Sequence, residues 1–351
     1  MKSRVRETYI DVARGIGITL VVLCHIIITE GYELAWITKF VYAFHMPLFF
    51  FISGWCRALG ENKVGKEGLP HLWGTIKKLF IPYYIWSFVY LSLAYIGGPV
   101  DWEERFQAVY TFRGIAPLWF LPALGLCEIA LYLVLTLCKY IGPKVKPFCL
   151  ILIAAIMFAV AFGMYKYYNG PDYSITDRVV SYLFITAGRF FVSFFVMLCG
   201  YLLCKILAYE KLPKMGTIVY SIAGAVLLIA CFAAVRYSSL SVNLHLFSAD
   251  RPLWFFCTAV TGSAGLVLLC KGVGRFLVPF RYLGISSLGI MVLHYQPFPF
   301  MHLAANQARK ITGSSLLQVI IATLIVLAIS YAGTYVCSRG CFITNKKGNT
   351  K

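Results

Sequence analysis

Charged side chains are scarce in this 351-residue chain, at 13%, and acidic ones are scarcer still, with 14 Asp and Glu against 32 Lys and Arg. A soluble globular protein carries about 25% charged and about 45–50% apolar residues; here 60% are hydrophobic. One water-soluble core cannot hide that much apolar surface, so lipid must act as the solvent. Polar stretches long enough for a large soluble domain are missing, and so is any internal repeat. Twelve cysteines are present without a pair of metal-like CxxC motifs. Cys24, Cys127, Cys199 and Cys257 lie within apolar runs and read as small buried residues, neither disulfides nor zinc ligands. The first apolar run contains Arg14 and has no small-x-small cleavage site, which marks a retained helix and not a signal peptide.

What is present is a series of apolar runs. A window of about 19 residues places ten spans, near 10–30, 39–58, 76–97, 117–138, 148–168, 180–204, 216–236, 252–271, 283–302 and 315–337. The expected architecture is all-α, a polytopic membrane domain over residues 1–338 with a short basic tail at 339–351 and irregular loops near 59–75, 98–116 and 237–251. The net charge of +18 sits in short clusters between runs and not in one stripe. This pattern favours topological marking over nucleic-acid binding. With the N-terminus placed in the cytoplasm, 22 of the 32 Lys and Arg residues fall on the cytoplasmic side and nine on the other, Arg189 lying within a span. The bias predicts that both termini are cytoplasmic.

Ionisable groups at membrane depth are costly and often functional. Here they are Arg14, His25, His45, Glu128, Arg189 and His294. Each has a structural alternative: Glu128 with Arg189 as one buried ion pair, or a histidine that simply donates to a carbonyl. Depth argues for more, because at 1.5 Å per residue His25, His45 and His294 all fall in the middle or outer part of the bilayer. Arg14 and His25 are eleven residues apart, which at about 100° per residue is three turns plus roughly 20°. They share a helix face about 16 Å apart along the axis, too far to touch, but spaced to contact two ends of one long molecule. An acyl-coenzyme A fits, with phosphates near Arg14 and a thioester near His25, the one suited to phosphate by its fork of donors and the other to general base catalysis.

The segments ARGIGITLVVLCH (13–25), FHMPLFFFISGW (44–55), LFIPYY (79–84), LWFLPAL (118–124) and SLGIMVLH (287–294), in this order, resemble the acyltransferase-3 family of membrane acyltransferases, and most closely its fucose 4-O-acetylase-like branch. The family's R-x10-H motif maps onto Arg14 and His25. The resemblance implies ten helices, a bacterial inner membrane, an acyl-coenzyme A donor, and a carbohydrate acceptor, often in surface polysaccharide. The basic cluster before the third helix, Arg-rich in the family, is Lys77–Lys78 here; lysine still binds phosphate as a point charge. Longer relatives add an extracytoplasmic esterase-like domain; here a second transferase is expected to be absent or separate.

The function expected is therefore O-acyl transfer, most simply from acetyl-coenzyme A, with no bound cofactor and no metal. His25 would take the proton of an acceptor hydroxyl as it attacks the thioester, or else carry the acyl group covalently. Arg14, Lys77 and Lys78 would hold the donor, while His45, Glu128, Arg189 and His294 would orient the acceptor or stabilise the oxyanion. A transporter or flippase of a lipid-linked sugar is the main rival, and broken helices and repeated halves would favour it. The charge bias predicts that reporter fusions at either terminus report a cytoplasmic location; an external signal from either would overturn the assignment of sides.

Overall fold

The computed structural model describes residues 7–61, 69–142, 145–171, 173–208, 216–295 and 298–339. The chain is an all-α polytopic membrane protein, and among the described residues nine helical segments are long and apolar enough to cross a bilayer. At the centre stands α1 (Thr8–Thr29), packed against α3 (His45–Glu61), α10 (Pro252–Val273), α11 (Val278–Ile285) and α14 (Ser315–Arg339). Enclosure falls outward. Two thirds of the most apolar window of the α10 span is buried, but only 22% of that of α7 (Lys146–Tyr168) and 17% of that of α9 (Thr217–Ser238). Both rim helices turn Phe148, Ile151, Ile222 and Ile229 outward, as lipid-facing helices must. Helix α8 (Arg178–Leu207) carries α7 on one flank and α3 on another.

The second expected span proves to be two helices in line, α2 (Ala35–Tyr42) and α3, with His45 opening the latter. The ninth, expected as one helix over 283–302, is broken. Helix α11 leads into α12 (Ser287–Leu293) through a kink at Ser286, whose N–H is shared between the carbonyls of Tyr282 and Leu283. The helical path then stops at His294 and resumes as α13 (Phe300–Ile311). Three contacts show that these pieces together run beside α1 and parallel to it. Gly15 and Gly284 bring the backbones of α1 and α11 together near the start of α1: a Cβ on Gly15 would strike the Phe280 carbonyl, and one on Gly284 the Asp11 carbonyl. His25 meets His294 further along. At the end of α1, Glu30 accepts from Arg309 of α13 at 3.0 Å and lies 3.4 Å from His302. Among the described residues this broken path runs beside α1 in addition to the nine long apolar segments.

The side of the bundle where α1 begins is here called the near side and the other the far side. The far-side loop at 98–116, expected to be irregular, contains α5 (Trp102–Tyr110), whose first turn is capped by Asp101 accepting from the Glu104 N–H at 3.0 Å. Capping of this kind satisfies one of the four orphan N–H groups at a helix start. The loop at 237–251 folds as a two-residue ladder, β1 (Val242–Asn243) against β2 (Ser248–Ala249), around a 3-10 turn at Leu244–Leu246. Helix α4 (Leu69–Gly97) begins earlier than expected, and α6 (Phe120–Leu137) follows a 3-10 turn at Ala116–Trp119. Residues 62–68 of the expected loop at 59–75 lie outside the described residues. So do the basic tail from 340 onward and Lys2, Arg4, Arg6, Lys63, Lys66, Lys144, Lys211 and Lys214 of the charge count.

The approach of α1 and α11 has a measurable cost if obstructed. Gly284→Ala must separate two backbones, and overpacking of this sort costs about 1–3 kcal/mol. Gly163→Ala on α7, where a Cβ meets nothing within 4 Å, should be neutral or mildly stabilising through helix propensity. Thermal unfolding in detergent should show a lowered Tm for the first only; equal Tm values would deny the close approach.

Candidate active site

A cavity of about 400 Å³ lies beside α1 and follows one of its faces from Arg14 through Ile18, Val21 and His25 to Ile28 and Thr29. Arg14 to Thr29 is fifteen helical steps, about 22 Å of helix. Its other walls are His45 and Phe49 of α3, Ser287 and Met291 of α12, and, at the far end, Trp119, Asn243 and His245. No Asp or Glu is among its lining residues. Arg14 and His25 thus face one continuous space, as their spacing predicts. Arg14 is 29% exposed; one guanidinium nitrogen lies 3.6 Å from Asp11 and the other 3.5 Å from the Cys56 Sγ. The local pair with Asp11 and an outlook onto the cavity therefore coexist.

The break in the ninth crossing places its histidine. His294 Nδ1 lies 3.0 Å from the Ile290 carbonyl, and its Nε2 is 2.8 Å from His25 Nδ1. A carbonyl only accepts, so His294 carries its proton on Nδ1 and offers a lone pair at Nε2. His25 must then donate from Nδ1, which leaves its own Nε2 as an unprotonated acceptor toward the cavity. The imidazoles of His25 and His294 lie almost parallel, with Tyr295 at 4.7 Å from the His25 ring. His45 is set the same way: its Nδ1 donates to the Val41 carbonyl at 2.9 Å, so its Nε2 also accepts. His25 and His45 are thus both fixed as potential bases.

The remaining expected site residues are placed elsewhere. Arg189 is buried behind the far wall, where it donates to the carbonyls of Leu244 at 3.3 Å and Arg113 at 2.9 Å and lies 4.8 Å from the Trp119 ring. It binds two far-side loops together and does not line the cavity. Glu128, half-buried on α6, does not line it either. Lys77 and Lys78 are exposed on α4, with the Lys77 ammonium over the Trp73 ring.

One lining group was missed by the sequence argument. His245 sits on the 3-10 turn of a polar loop, outside the apolar runs, where an ionisable side chain is unremarkable in sequence. Its Nε2 accepts from Arg113, and its ring lies nearly parallel to Trp119 with centroids 6.1 Å apart. Burial, reinforced by Arg189 and Arg113, pushes its pKa down to about 2, so it is neutral at any working pH. Burial likewise lowers Arg113, with Tyr182, Tyr168 and Glu104 acting in the opposite direction.

No curated protein gives a significant match to the chain. A family model does: the one described as Acyltransferase domain, of the acyltransferase-3 type, matches residues 7–335. The match takes in every helix that walls the cavity, together with both members of the Arg14–His25 pair and the His294 that orients it. The chain belongs to the acyltransferase-3 family of membrane acyltransferases.

Proposed function

We propose that this protein is an O-acyltransferase that moves an acyl group, acetyl in the simplest case, from acyl-coenzyme A to a hydroxyl of a carbohydrate in a surface or exported glycan. The observation that carries the reading is the single cavity joining Arg14 to a His25 whose Nε2 is held open as an acceptor. The donor's phosphates sit at Arg14, where water can reach them, and the pantetheine arm runs along α1 toward His25. Lys77 and Lys78 are left for the nucleotide, which extends past the mouth of the cavity. His25 Nε2 removes the proton of the acceptor hydroxyl as its oxygen attacks the thioester carbonyl. The C–S bond then breaks, and the proton passes to the departing coenzyme A thiolate. In the covalent variant the same lone pair attacks the carbonyl, the C–S bond breaks to release the thiolate, and the acyl group rests on Nε2 until the hydroxyl oxygen takes it and the hydroxyl proton passes to the thiolate.

His294 acts through His25 as a positioning residue. The broken helix that supplies it also favours the rival reading, a flippase for a lipid-linked sugar, since transporters place substrates at such breaks. Thioester cleavage separates the two, because a flippase leaves acyl-coenzyme A intact. The fucose 4-O-acetylase-like wording of the sequence motifs makes 6-deoxyhexose acceptors the first to try.

His25→Ala should lower kcat by about 10²–10⁴-fold, the usual loss for a general base, with normal protein in the membrane. His294→Gln keeps an acceptor for the His25 Nδ1–H and should retain most activity, whereas His294→Leu should not. In the same assay, Arg14→Ala should mainly raise the KM for acyl-coenzyme A. Full activity in His25→Ala would move the chemistry to His45.

The bacterial inner membrane, with both termini cytoplasmic, puts the donor's entry on the cytoplasmic face and the far-side loops outside. Acyl-coenzyme A is too polar to cross lipid unaided, so acyl transfer then spans the membrane. Sealed vesicles of known orientation, given labelled acetyl-coenzyme A on the cytoplasmic face, should form product with an impermeant acceptor on the opposite face. Product only with both on the cytoplasmic face would refute the crossing and leave the transferase standing.

A further inference from the structure

The two bases of the cavity accept hydrogen bonds, whereas its far end donates them. A guanidinium has donors only, so the bond from Arg113 Nη1 commits His245 Nε2 as the acceptor. The one proton of the neutral ring must then reside on Nδ1, which has no partner among the described residues, on a side chain that lines the cavity. Beside it, Asn243 turns its Oδ1 to the Leu246 N–H, accepting at 3.2 Å, which leaves its amide hydrogens available to the cavity. Trp119 and Arg189 keep this turn from moving: the indole lies against the His245 ring, and Arg189 grips the Leu244 carbonyl next to it.

We infer that His245 is the hydrogen-bond donor of the acceptor subsite, its Nδ1–H set to hold a non-reacting acceptor oxygen that has lone pairs but no proton to give, such as a ring, glycosidic, carbonyl or carboxylate oxygen. This inference rests on the transferase reading. A reacting hydroxyl needs a group that accepts its proton, which His25 supplies; the rest of the acceptor needs donors, and these are gathered at the far end. His245 cannot share the work of the base, since one nitrogen is occupied by Arg113 and the other already bears the proton. Its location on the far-side loop also agrees with an acceptor that enters from the side opposite to the donor.

The two amide replacements of histidine separate this role from a structural one. Asparagine puts an NH2 near the Nδ1 position, whereas glutamine puts its amide near Nε2. His245→Asn should keep the donor and lose the tie to Arg113, and His245→Gln the reverse. The assay uses acetyl-coenzyme A and the best acceptor found for the wild-type protein among methyl glycosides of neutral and uronic sugars. His245→Gln should raise the acceptor KM about tenfold, as expected for one lost hydrogen bond, without moving the KM for acetyl-coenzyme A. His245→Asn should stay within about threefold of wild type. Glutamine performing as well as asparagine or better, or both raising the acceptor KM equally, would overturn the assignment. A wild-type protein that transfers no acetyl group would instead count against the transferase reading. Histidine 15N shifts of the wild-type protein decide the tautomer without turnover, with His245 identified by its absence in His245→Asn. The expected pattern has the proton on Nδ1, and a proton on Nε2 would overturn the inference even if neither variant turns over.

Discussion

The contact on which the site depends is the meeting of α1 and α11 backbone to backbone at Gly15 and Gly284. Helices in lipid lack the hydrophobic drive that packs them in water and instead use small residues to come close. Here that closeness sets the register of a whole crossing. With α11 fixed against the first turns of α1, α12 arrives with His294 level with His25, and the helix ends there. The Glu30–Arg309 pair closes the far end. A larger residue at either glycine would move an imidazole that lies ten residues away.

The second constraint is that polar groups buried in a membrane must find partners within the protein. Three imidazoles meet it through Nδ1: those of His294 and His45 donate to carbonyls one turn earlier, and that of His25 donates to His294 Nε2. Each commitment determines the other nitrogen. The chemistry expected of the cavity follows from this hydrogen-bond bookkeeping without any acidic side chain to polarise a ring, a marked difference from sites in which a carboxylate backs the base.

Much of this was legible in the sequence. Arg14, His25, His45 and His294 stood out because a titratable group in an apolar run is rare, and helical periodicity put the first two on one face. What escaped notice has physical causes. A hydropathy window averages over about 19 residues, so it reported 283–302 as one span; Pro297 and Pro299, which cannot continue a helix without loss, were the local sign of the break. His245, Arg113 and Trp119 come together only through loops that fold back on α8, a tertiary event with no periodic trace. Arg189 was recognised as expensive, but its partners are carbonyls of distant loops, which no side-chain pattern announces.

The length of α8 bears on how far an acyl group has to travel. Its 30 residues make about 45 Å of helix, against a hydrocarbon layer of about 30 Å. Arg178, at its far-side tip, is half-exposed and paired with Asp101, as befits the headgroup zone. Arg189 lies eleven residues further in, about 16 Å down the axis, and it holds Leu244 and the Arg113 backbone at that depth. The far-side loops are therefore held about 16 Å inward of the tip of α8. Under the proposed function, an acyl group handed over at this depth has less than the full thickness of a hydrocarbon layer of about 30 Å to cross.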